Sequence, residues 1–89
     1  MYNLNFTGQF KKDFKKVEKS NLDIKKLEKA FEILIETGTL PVDKYKTHKM
    51  TGNYKGHFDA HIEPDWVIIW FTVDDEINLV RTGSHSELF

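Results

Sequence analysis

The chain opens with an alternation of apolar and polar side chains that is typical of a half-buried strand. The apolar positions of this segment are Tyr2, Leu4 and Phe6. Because successive side chains of a strand point to opposite faces, this pattern predicts one buried and one solvated face. The period changes at Thr7, a residue type suited to cap the start of a helix.

Two amphipathic helices are predicted between Thr7 and Gly38. The first helix has lysines between its apolar positions and ends before Asn21. The second helix begins at Asp23 as its N-cap and ends at Gly38, and Pro41 prevents any continuation. The apolar residues at helical spacing are Phe10, Phe14 and Val17 in the first helix, and Ile24, Leu27, Ala30, Phe31, Leu34 and Ile35 in the second. Both helices therefore have an exposed face that is rich in lysine.

The segment from Leu40 to Gly52 shows no clear period and is predicted to be a loop. A strand over about residues 54–62 follows. Residues 63–65 then form a turn that leads to residues 66–71. This run is almost continuously apolar, as expected of a central strand covered on both faces.

Asp74 and Asp75 form a second turn, which leads to a third strand over residues 77–81. Because the turns between these strands are too short for crossovers, the strands must pair antiparallel. The sequence therefore predicts an α+β fold of order β-α-α-β-β-β. Two N-terminal helices would pack on one face of a mainly antiparallel, twisted sheet.

A chain of 89 residues is expected to form one domain with one modest core, over residues 1–89. No apolar run approaches the roughly 20 residues that span a bilayer, so no membrane contact is expected. The first residues have no basic stretch followed by an apolar core, so a signal peptide is not expected and the cytoplasm is the predicted location.

The formal net charge of −1 hides an asymmetry along the chain. Residues 1–55 carry 12 lysines and seven acidic residues, whereas residues 56–89 carry one arginine and seven acidic residues. A basic half is compatible with binding to polyanionic RNA. The alternative is that these lysines merely line the solvent faces of the helices.

Candidate chemistry is concentrated in the second half of the chain, which contains all four histidines. Asp59 and His61 lie two apart in a predicted strand and so share a face. Asp65 follows at the turn, and His85 lies just beyond the last strand. Cleavage of RNA by its own 2′-hydroxyl needs a base, an acid and groups that hold the phosphorane charge. Imidazole suits either proton role, because its pKa lies near neutrality.

Metal binding is the competing chemical interpretation. The chain has no cysteine, which excludes disulfides, a thiolate nucleophile and cysteine-ligated zinc. His57 and His61 are four apart, a spacing that suits a helix, but they fall on a predicted strand. No metal or other cofactor is expected, and His57 is interpreted as a surface residue. Trp70 is interpreted as a core residue, whereas Trp66 at the turn could be a core residue or a stacking platform.

Three motifs carry a resemblance to a known family. They are Tyr45-x-x-His48-x-Met50-x-Gly52-x-Tyr54-x-Gly56, His61-Ile62-x-Pro64-Asp65-Trp66 and the terminal Arg81-Thr82-Gly83-Ser84-His85-Ser86-x-Leu88-Phe89. Together with the opening strand and first helix, they resemble YafQ-type toxins of the RelE/ParE superfamily of bacterial type II toxins. The resemblance covers the whole chain and is most specific over residues 45–89.

This resemblance implies a compact fold like that of microbial ribonucleases and an endoribonuclease that cuts messenger RNA codons in the ribosomal A site without a metal. It also implies a cognate antitoxin, contacts of basic residues with 16S rRNA, a monomeric free toxin and a hetero-oligomer with the antitoxin. The implied active site consists of His48, Asp59, His61, Asp65, His85 and Phe89. Further substrate contacts would come from Lys49, Trp66 and Arg81.

Roles for these residues are hypotheses from the same resemblance. His85 would be the general acid, and either His48 or Asp65 would take the 2′-hydroxyl proton. His61 and Arg81 would stabilise the phosphorane. Asp59 would orient a histidine, and the Phe89 ring would pack on a base or position the scissile phosphate.

Two alternative functions share the expected fold. A ParE-like relative would act on DNA gyrase without RNA chemistry, and a degenerate toxin would serve only as a binding partner. A purely structural domain would leave His48, His85 and Phe89 far apart. The sequence also departs from the family in one respect, because ribosome-directed toxins are usually clearly basic and this chain has a pI of about 6.4.

Overall fold

The computed structural model describes residues 1–89 and has an α+β architecture, which confirms the predicted class. Its elements are β1 (Asn3–Phe6), α1 (Gly8–Glu18), α2 (Ile24–Thr37), α3 (Val42–Tyr45), β2 (His48–Lys49), β3 (Phe58–Glu63), β4 (Trp66–Val73), β5 (Glu76–Ser84) and α4 (His85–Leu88), with a 3-10 turn at Gly52–Tyr54. None of the helices is both long and apolar enough to cross a membrane.

The five strands form one sheet in the order β1-β5-β4-β3-β2. β1 runs parallel to β5, and all other neighbours are antiparallel. The predicted mainly antiparallel sheet is therefore confirmed. Because β1 pairs only with Glu76–Leu79 of β5, the later part of β5 has no strand neighbour on that side.

The predicted caps fix the ends of the two long helices. The Thr7 side chain accepts a hydrogen bond from the Phe10 N–H at 3.2 Å, and Asp23 accepts one from the Lys25 N–H at 3.0 Å. α2 ends at Gly38, where φ is 82° and a Cβ atom would lie 2.5 Å from the Tyr2 ring. Only glycine fits this position, because it needs both a left-handed backbone and space for the ring.

The central strand β4 is covered on both faces, as its apolar sequence predicts. Trp66, Ile68 and Trp70 join residues of α1 and α2 in a core of 13 buried residues. Val67 and Ile69 point to the opposite face, outside this core, and are also fully buried. The sheet therefore has a core face toward the helices and a second face, on which the candidate chemistry lies.

The predicted boundaries are wrong in three places. The loop over residues 40–52 contains the one-turn helix α3 and the two-residue strand β2. The strand predicted from residue 54 begins at Phe58, because Gly52 and Gly56 have φ values of 69° and 89° and the chain turns between them. The residues predicted to be a polar tail extend β5 to Ser84 and then form α4. This helix was not predicted because its capping residues are polar and give no apolar period.

Candidate active site

The strand register places the candidate residues on the face of the sheet that lies opposite the helix core. His48 pairs with Asp59, and Asp59 pairs with Ile69 of β4. His61 pairs with Val67 in the same ladder. Because side chains of paired residues point to the same face, His48, Asp59 and His61 lie above the buried Val67 and Ile69.

Asp59 is the buried centre of this face, with 5% of its surface exposed. Its Oδ1 lies 2.9 Å from Nδ1 of His48, but the angle is unsuited to a hydrogen bond and this oxygen has no hydrogen-bond partner. Burial raises the pKa of Asp59, and the opposing attraction of His48, His61 and His85 does not cancel this effect. The carboxylate therefore lies within electrostatic reach of three imidazoles.

Backbone carbonyls define the tautomers of two of these histidines. Nδ1 of His48 lies 3.2 Å from the Lys46 carbonyl oxygen, and Nδ1 of His61 lies 3.1 Å from the Pro64 carbonyl oxygen. Because a carbonyl oxygen can only accept, each Nδ1 must carry the proton. In the neutral rings, Nε2 is then the atom free to accept a proton.

His85 begins α4 and is held by Asp65 from the turn between β3 and β4. Its backbone N–H donates to the Asp65 carbonyl oxygen at 3.1 Å and to Oδ1 of Asp65 at 3.2 Å. The His85 ring lies nearly parallel to the His61 ring, with centroids 6.4 Å apart. Its other neighbour is Phe89, with ring centroids 4.8 Å apart. The chain end thus brings His85 and Phe89 to the same surface as His61.

A capping box stabilises this last turn. Ser84 Oγ accepts from the Glu87 N–H at 3.2 Å, and Glu87 Oε1 accepts from the Ser84 N–H at 3.1 Å. The hydrogen bonds from Ser84 lower the pKa of Glu87. The predicted polar tail is therefore an ordered element that positions His85.

Arg81 is held from the side by the first helix. Its Nε donates to Oδ2 of Asp13 at 2.7 Å, and its Nη2 donates to Oδ1 at 3.3 Å. Asp13 is 3% exposed and also accepts from the Thr82 N–H at 3.2 Å. Hydrogen bonding to Asp13 raises the pKa of Arg81. Two donors of the guanidinium fork are therefore used inside the protein, and 25% of the side chain remains exposed.

Two predicted substrate contacts lie away from this face. Trp66 is 1% exposed in the core, where its Nε1 donates to Oγ1 of Thr82 at 3.0 Å. A direct contact of its ring with substrate is therefore incompatible with the structure. Lys49 pairs with Phe58, whose ring stacks on Trp70 of the core, so Lys49 points to the face opposite His48. The structure offers no support for Lys49 at the site.

Two residues next to the site were not predicted from the sequence. Asp13 lies in a helix rich in lysine. The one feature of the sequence that distinguishes it is that it is the only acidic residue between Thr7 and Val17. Tyr54 lies 6.2 Å from Phe89 between ring centroids and makes a small contribution to the raised pKa of Arg81. Tyr54 is part of the Gly52-x-Tyr54-x-Gly56 pattern in the sequence, but the pattern alone did not indicate a role for it.

The acidic and imidazole groups are not arranged as a metal centre. No group of three or more histidine, aspartate or glutamate residues is placed so that it could hold a metal ion. The arrangement instead offers imidazoles with defined tautomers, a buried carboxylate and an arginine. These are groups that move protons and bind anions.

Comparison with known proteins shows which family this chain belongs to. A family model described as bacterial toxin of type II toxin-antitoxin system, YafQ, matches residues 2–89. The chain belongs to this family. The match spans all elements from β1 to α4 and confirms the family that the motifs indicated.

Similar proteins include toxins from Escherichia coli and Helicobacter pylori. The curated mRNA interferase toxin YafQ of Escherichia coli K12 is 40% identical over 87 residues, which cover 97% of this chain and 94% of that protein. The crystal structure of the E. coli DinJ-YafQ complex has a TM-score of 0.88 and 38% identity over 100% of this chain and 99% of that chain. A metal-bound toxin from Helicobacter pylori has a TM-score of 0.88 and 34% identity over 100% of both chains.

Proposed function

We propose that this protein is a ribosome-dependent endoribonuclease that cleaves messenger RNA in the A site, as the toxin of a type II toxin-antitoxin pair in the bacterial cytoplasm. One observation carries the proposal. His48, His61 and His85 surround the buried carboxylate of Asp59 on one face of the sheet. A relative that is 40% identical is named an mRNA interferase. A gyrase-directed protein would not need this group of proton carriers.

His85 is the proposed general acid. It is exposed at the start of α4, and Asp65 fixes its backbone from the neighbouring turn. An imidazole at this position can protonate the leaving 5′-oxygen when the site is closed around the substrate. Asp65 then acts through the position of His85, because one of its oxygens already accepts the His85 N–H.

His48 is the better candidate for the general base. Its Nδ1 faces the Lys46 carbonyl and Asp59, which leaves Nε2 to take the 2′-hydroxyl proton. The nearby carboxylate of Asp59 would stabilise the imidazolium that forms. His61 and the exposed part of Arg81 would hold the negative charge of the phosphorane.

The lysines of α1 are proposed to contact the phosphates of 16S rRNA. Lys26 and Lys29 of α2 are paired with carboxylates, whereas no lysine of α1 takes part in an ion pair. The lysines concerned are Lys11, Lys12, Lys15 and Lys16 of α1, together with Lys19 at its C-terminal end. Unpaired lysines can each replace a counterion of the nucleic acid, so binding of the ribosome should weaken steeply with salt. This basic helix would compensate for the acidic second half of the chain.

A cognate antitoxin is the proposed regulatory partner, because a structure that resembles this chain closely is the DinJ-YafQ complex. An acidic segment would neutralise the lysines of α1 and occlude the toxin. The toxin mixed with the product of the neighbouring gene should elute from a sizing column as one hetero-oligomer. Separate elution at micromolar concentration would argue against this partner.

The test of the activity is primer extension on a message translated in a bacterial extract and on the same message without ribosomes. The parent protein is compared with His85→Ala and with Ser86→Ala, a matched change in the same turn that leaves all proposed roles intact. We expect cuts within codons that require ribosomes and His85, with a loss of about 10²- to 10⁴-fold in His85→Ala.

The same assay is repeated with excess chelator to test whether cleavage needs a metal ion, since a relative has been crystallised with bound metal. Cleavage that survives excess chelator supports the acid-base mechanism, and cleavage that requires added metal contradicts it. If no lane shows cuts, or if His85→Ala cuts at the parental rate, the proposed function or the role of His85 is wrong. A supercoiling assay would then test the gyrase-directed alternative.

A further inference from the structure

Six aromatic rings form an unbroken row across the active-site face. The row runs from β4 to the centre of the histidine cluster and consists of Phe71, His57, Tyr54, Phe89, His85 and His61. Neighbouring ring centroids are separated by 5.0, 5.5, 6.2, 4.8 and 6.4 Å in that order. The three rings of this row that are not imidazoles, Phe71, Tyr54 and Phe89, neither belong to the hydrophobic core nor pack against it.

The proposed proton chemistry explains only one end of this row. His61 and His85 have roles at the reacting phosphate, and the resemblance gives Phe89 a role in packing on a base or positioning that phosphate, but Phe71, His57 and Tyr54 have none. These three rings are partly exposed, and Phe89 is 53% exposed. Contiguous exposed apolar surface is unusual in a small protein unless it binds something.

The local backbone is built to hold Tyr54 and His57 on this face. The chain turns between Gly52 and Gly56, which both have positive φ. The His57 N–H donates to the Tyr54 carbonyl oxygen at 2.9 Å, and the Met50 N–H donates to the His57 carbonyl oxygen at 2.9 Å. The two rings meet edge to face, with their planes at 76°. Both rings are partly exposed, so part of each can be reached by a flat ligand.

The flanking charges favour a nucleic acid strand as this ligand. Arg81 lies beside Tyr54, and the exposed Lys55 is its neighbour in sequence. Proteins that bind single strands combine stacking rings with cations that follow the phosphates. Because every base has a π-face, a row of rings can accept a nucleotide without a dedicated hydrogen-bond code.

We propose that Tyr54 and His57, together with Phe71 and Phe89, form a nucleobase-stacking subsite for the nucleotide next to the scissile phosphate. This proposal rests on the proposed function and extends it to substrate positioning. The four rings bind the base, whereas the histidines beyond Phe89 carry out the proton transfers. The subsite should contribute to substrate affinity and not to the protonation steps.

The alternative is that these rings only cover the buried residues Val67 and Ile69. Leucine would cover them as well as tyrosine, but leucine has no π-face on which a base can stack. The informative variants are therefore Tyr54→Leu, Tyr54→Phe and His57→Leu. Phe6→Leu is the matched control, because Phe6 is an exposed aromatic residue that packs on Phe10 and Phe31, away from this face.

The first measurement is binding of a fully 2′-O-methylated trinucleotide, which has no attacking hydroxyl, followed by NMR of the aromatic rings. We expect the Tyr54, His57 and Phe89 signals to shift in the parent protein. Tyr54→Leu should weaken binding by about 5- to 100-fold, which is the usual effect of removing one stacking ring. Tyr54→Phe should recover most of the affinity, and Phe6→Leu should bind like the parent.

The second measurement is KM and kcat for cleavage on programmed ribosomes, where Tyr54→Leu should raise KM by a similar factor with less effect on kcat. His57→Leu is the independent variant if Tyr54→Leu does not fold, and a thermal melt of each variant checks this. Equal affinity of Tyr54→Leu and parent, or no ring shifts in the parent, overturns the subsite. If the rings shift but no ribosomal cleavage occurs, the proposed function fails, and the rings are a base-stacking site that has no part in cleavage.

Discussion

The two faces of strand β4 carry residues of similar hydrophobicity but serve different purposes. Trp66, Ile68 and Trp70 point toward the helices and close the core. Val67 and Ile69 are as deeply buried, but they lie beneath the polar groups of the candidate active site. The same strand thus closes the core on one face and supports the candidate active site on the other.

The polar groups on the two faces also differ in how well they are satisfied. In the core, Trp66 donates to Oγ1 of Thr82, and Thr82 donates in turn to the Val67 carbonyl oxygen at 3.0 Å. On the site face, Oδ1 of Asp59 is buried without a hydrogen-bond partner. A buried oxygen without a hydrogen-bond partner costs stability, so the surroundings of Asp59 are less favourable for folding than the hydrogen-bonded core.

The largest effect is expected from breaking the core face at its biggest residue. Trp66→Ala removes a ring that is 1% exposed and leaves Thr82 without its indole partner. We expect a loss of about 3–5 kcal/mol in the free energy of unfolding, by urea denaturation. The control is Trp66→Phe, which should lose clearly less. If Trp66→Ala were fully stable but inactive, Trp66 would belong to the site after all.

A smaller loss is expected at the ion pair that joins α1 to β5. Asp13→Asn weakens the hydrogen bonds to Arg81 and to the Thr82 N–H, so we expect a loss of about 1.5–3 kcal/mol. Glu28→Gln is the control, because this exposed acid of α2 forms no ion pair. Urea denaturation and cleavage should be measured together. If Asp13→Asn unfolds and cleaves RNA like the parent protein, then Arg81 needs no support from α1.

At Asp59 we expect a substitution to raise the free energy of unfolding, in contrast to the substitutions at Trp66 and Asp13. Burial raises the pKa of Asp59 above its ordinary value of 3.8, so the folded state holds this proton more tightly than the unfolded chain. The stability of the parent protein therefore falls as the pH rises from below 3.8 through the raised pKa. Asp59→Asn removes this cost, and it should be more stable than the parent at neutral pH by on the order of 1 kcal/mol.

Thermal and urea unfolding at pH 3 and pH 7 would check this prediction. The advantage of Asp59→Asn should shrink at the lower pH, because the parent carboxyl is then protonated in both states. Cleavage should decrease in the same variant, since the histidines lose their carboxylate. A variant that is less stable than the parent at pH 7 would show that ionised Asp59 supports the fold.

The smallest global effect is expected at the capping box of α4. Ser84→Ala removes the acceptor for the Glu87 N–H, but it acts on a four-residue helix at the chain end. We expect a global change of no more than about 0.5 kcal/mol and a clear loss of hydrogen-exchange protection at Phe89. Cleavage should decrease because His85 loses its fixed position. Unchanged exchange at the last turn would contradict a role of the cap in ordering it.

Local patterns in the sequence determined most of the fold. Thr7, Asp23 and Gly38 set the helix ends, because capping and a left-handed backbone are properties of a few neighbouring residues. The apolar run of β4 predicted a strand buried on both sides. The same reasoning was wrong from Leu40 to His57, where α3, β2 and the 3-10 turn are too short to show a period.

The residues of the site could be proposed from motifs, and the motifs also indicated the family that the comparisons show. Their arrangement could not be derived in this way. Asp13 reaches Arg81 across 68 positions of the chain, and His48 meets Asp59 through the pairing of β2 with β3. Trp66 was expected to contact the substrate because of the family resemblance, but strand alternation places its ring in the core.

What the sequence by itself determined is the set of elements, their capping residues and the kinds of chemical groups available. These depend on interactions over a few residues. What only the tertiary structure decided is which face each group occupies, how deeply Asp59 is buried and which rings follow one another from Phe71 to His61. The physical reason is that burial and strand pairing depend on residues that are distant in sequence. Burial raises the pKa of Asp59, and the packing of the chain end against the 3-10 turn makes Phe89 a neighbour of Tyr54.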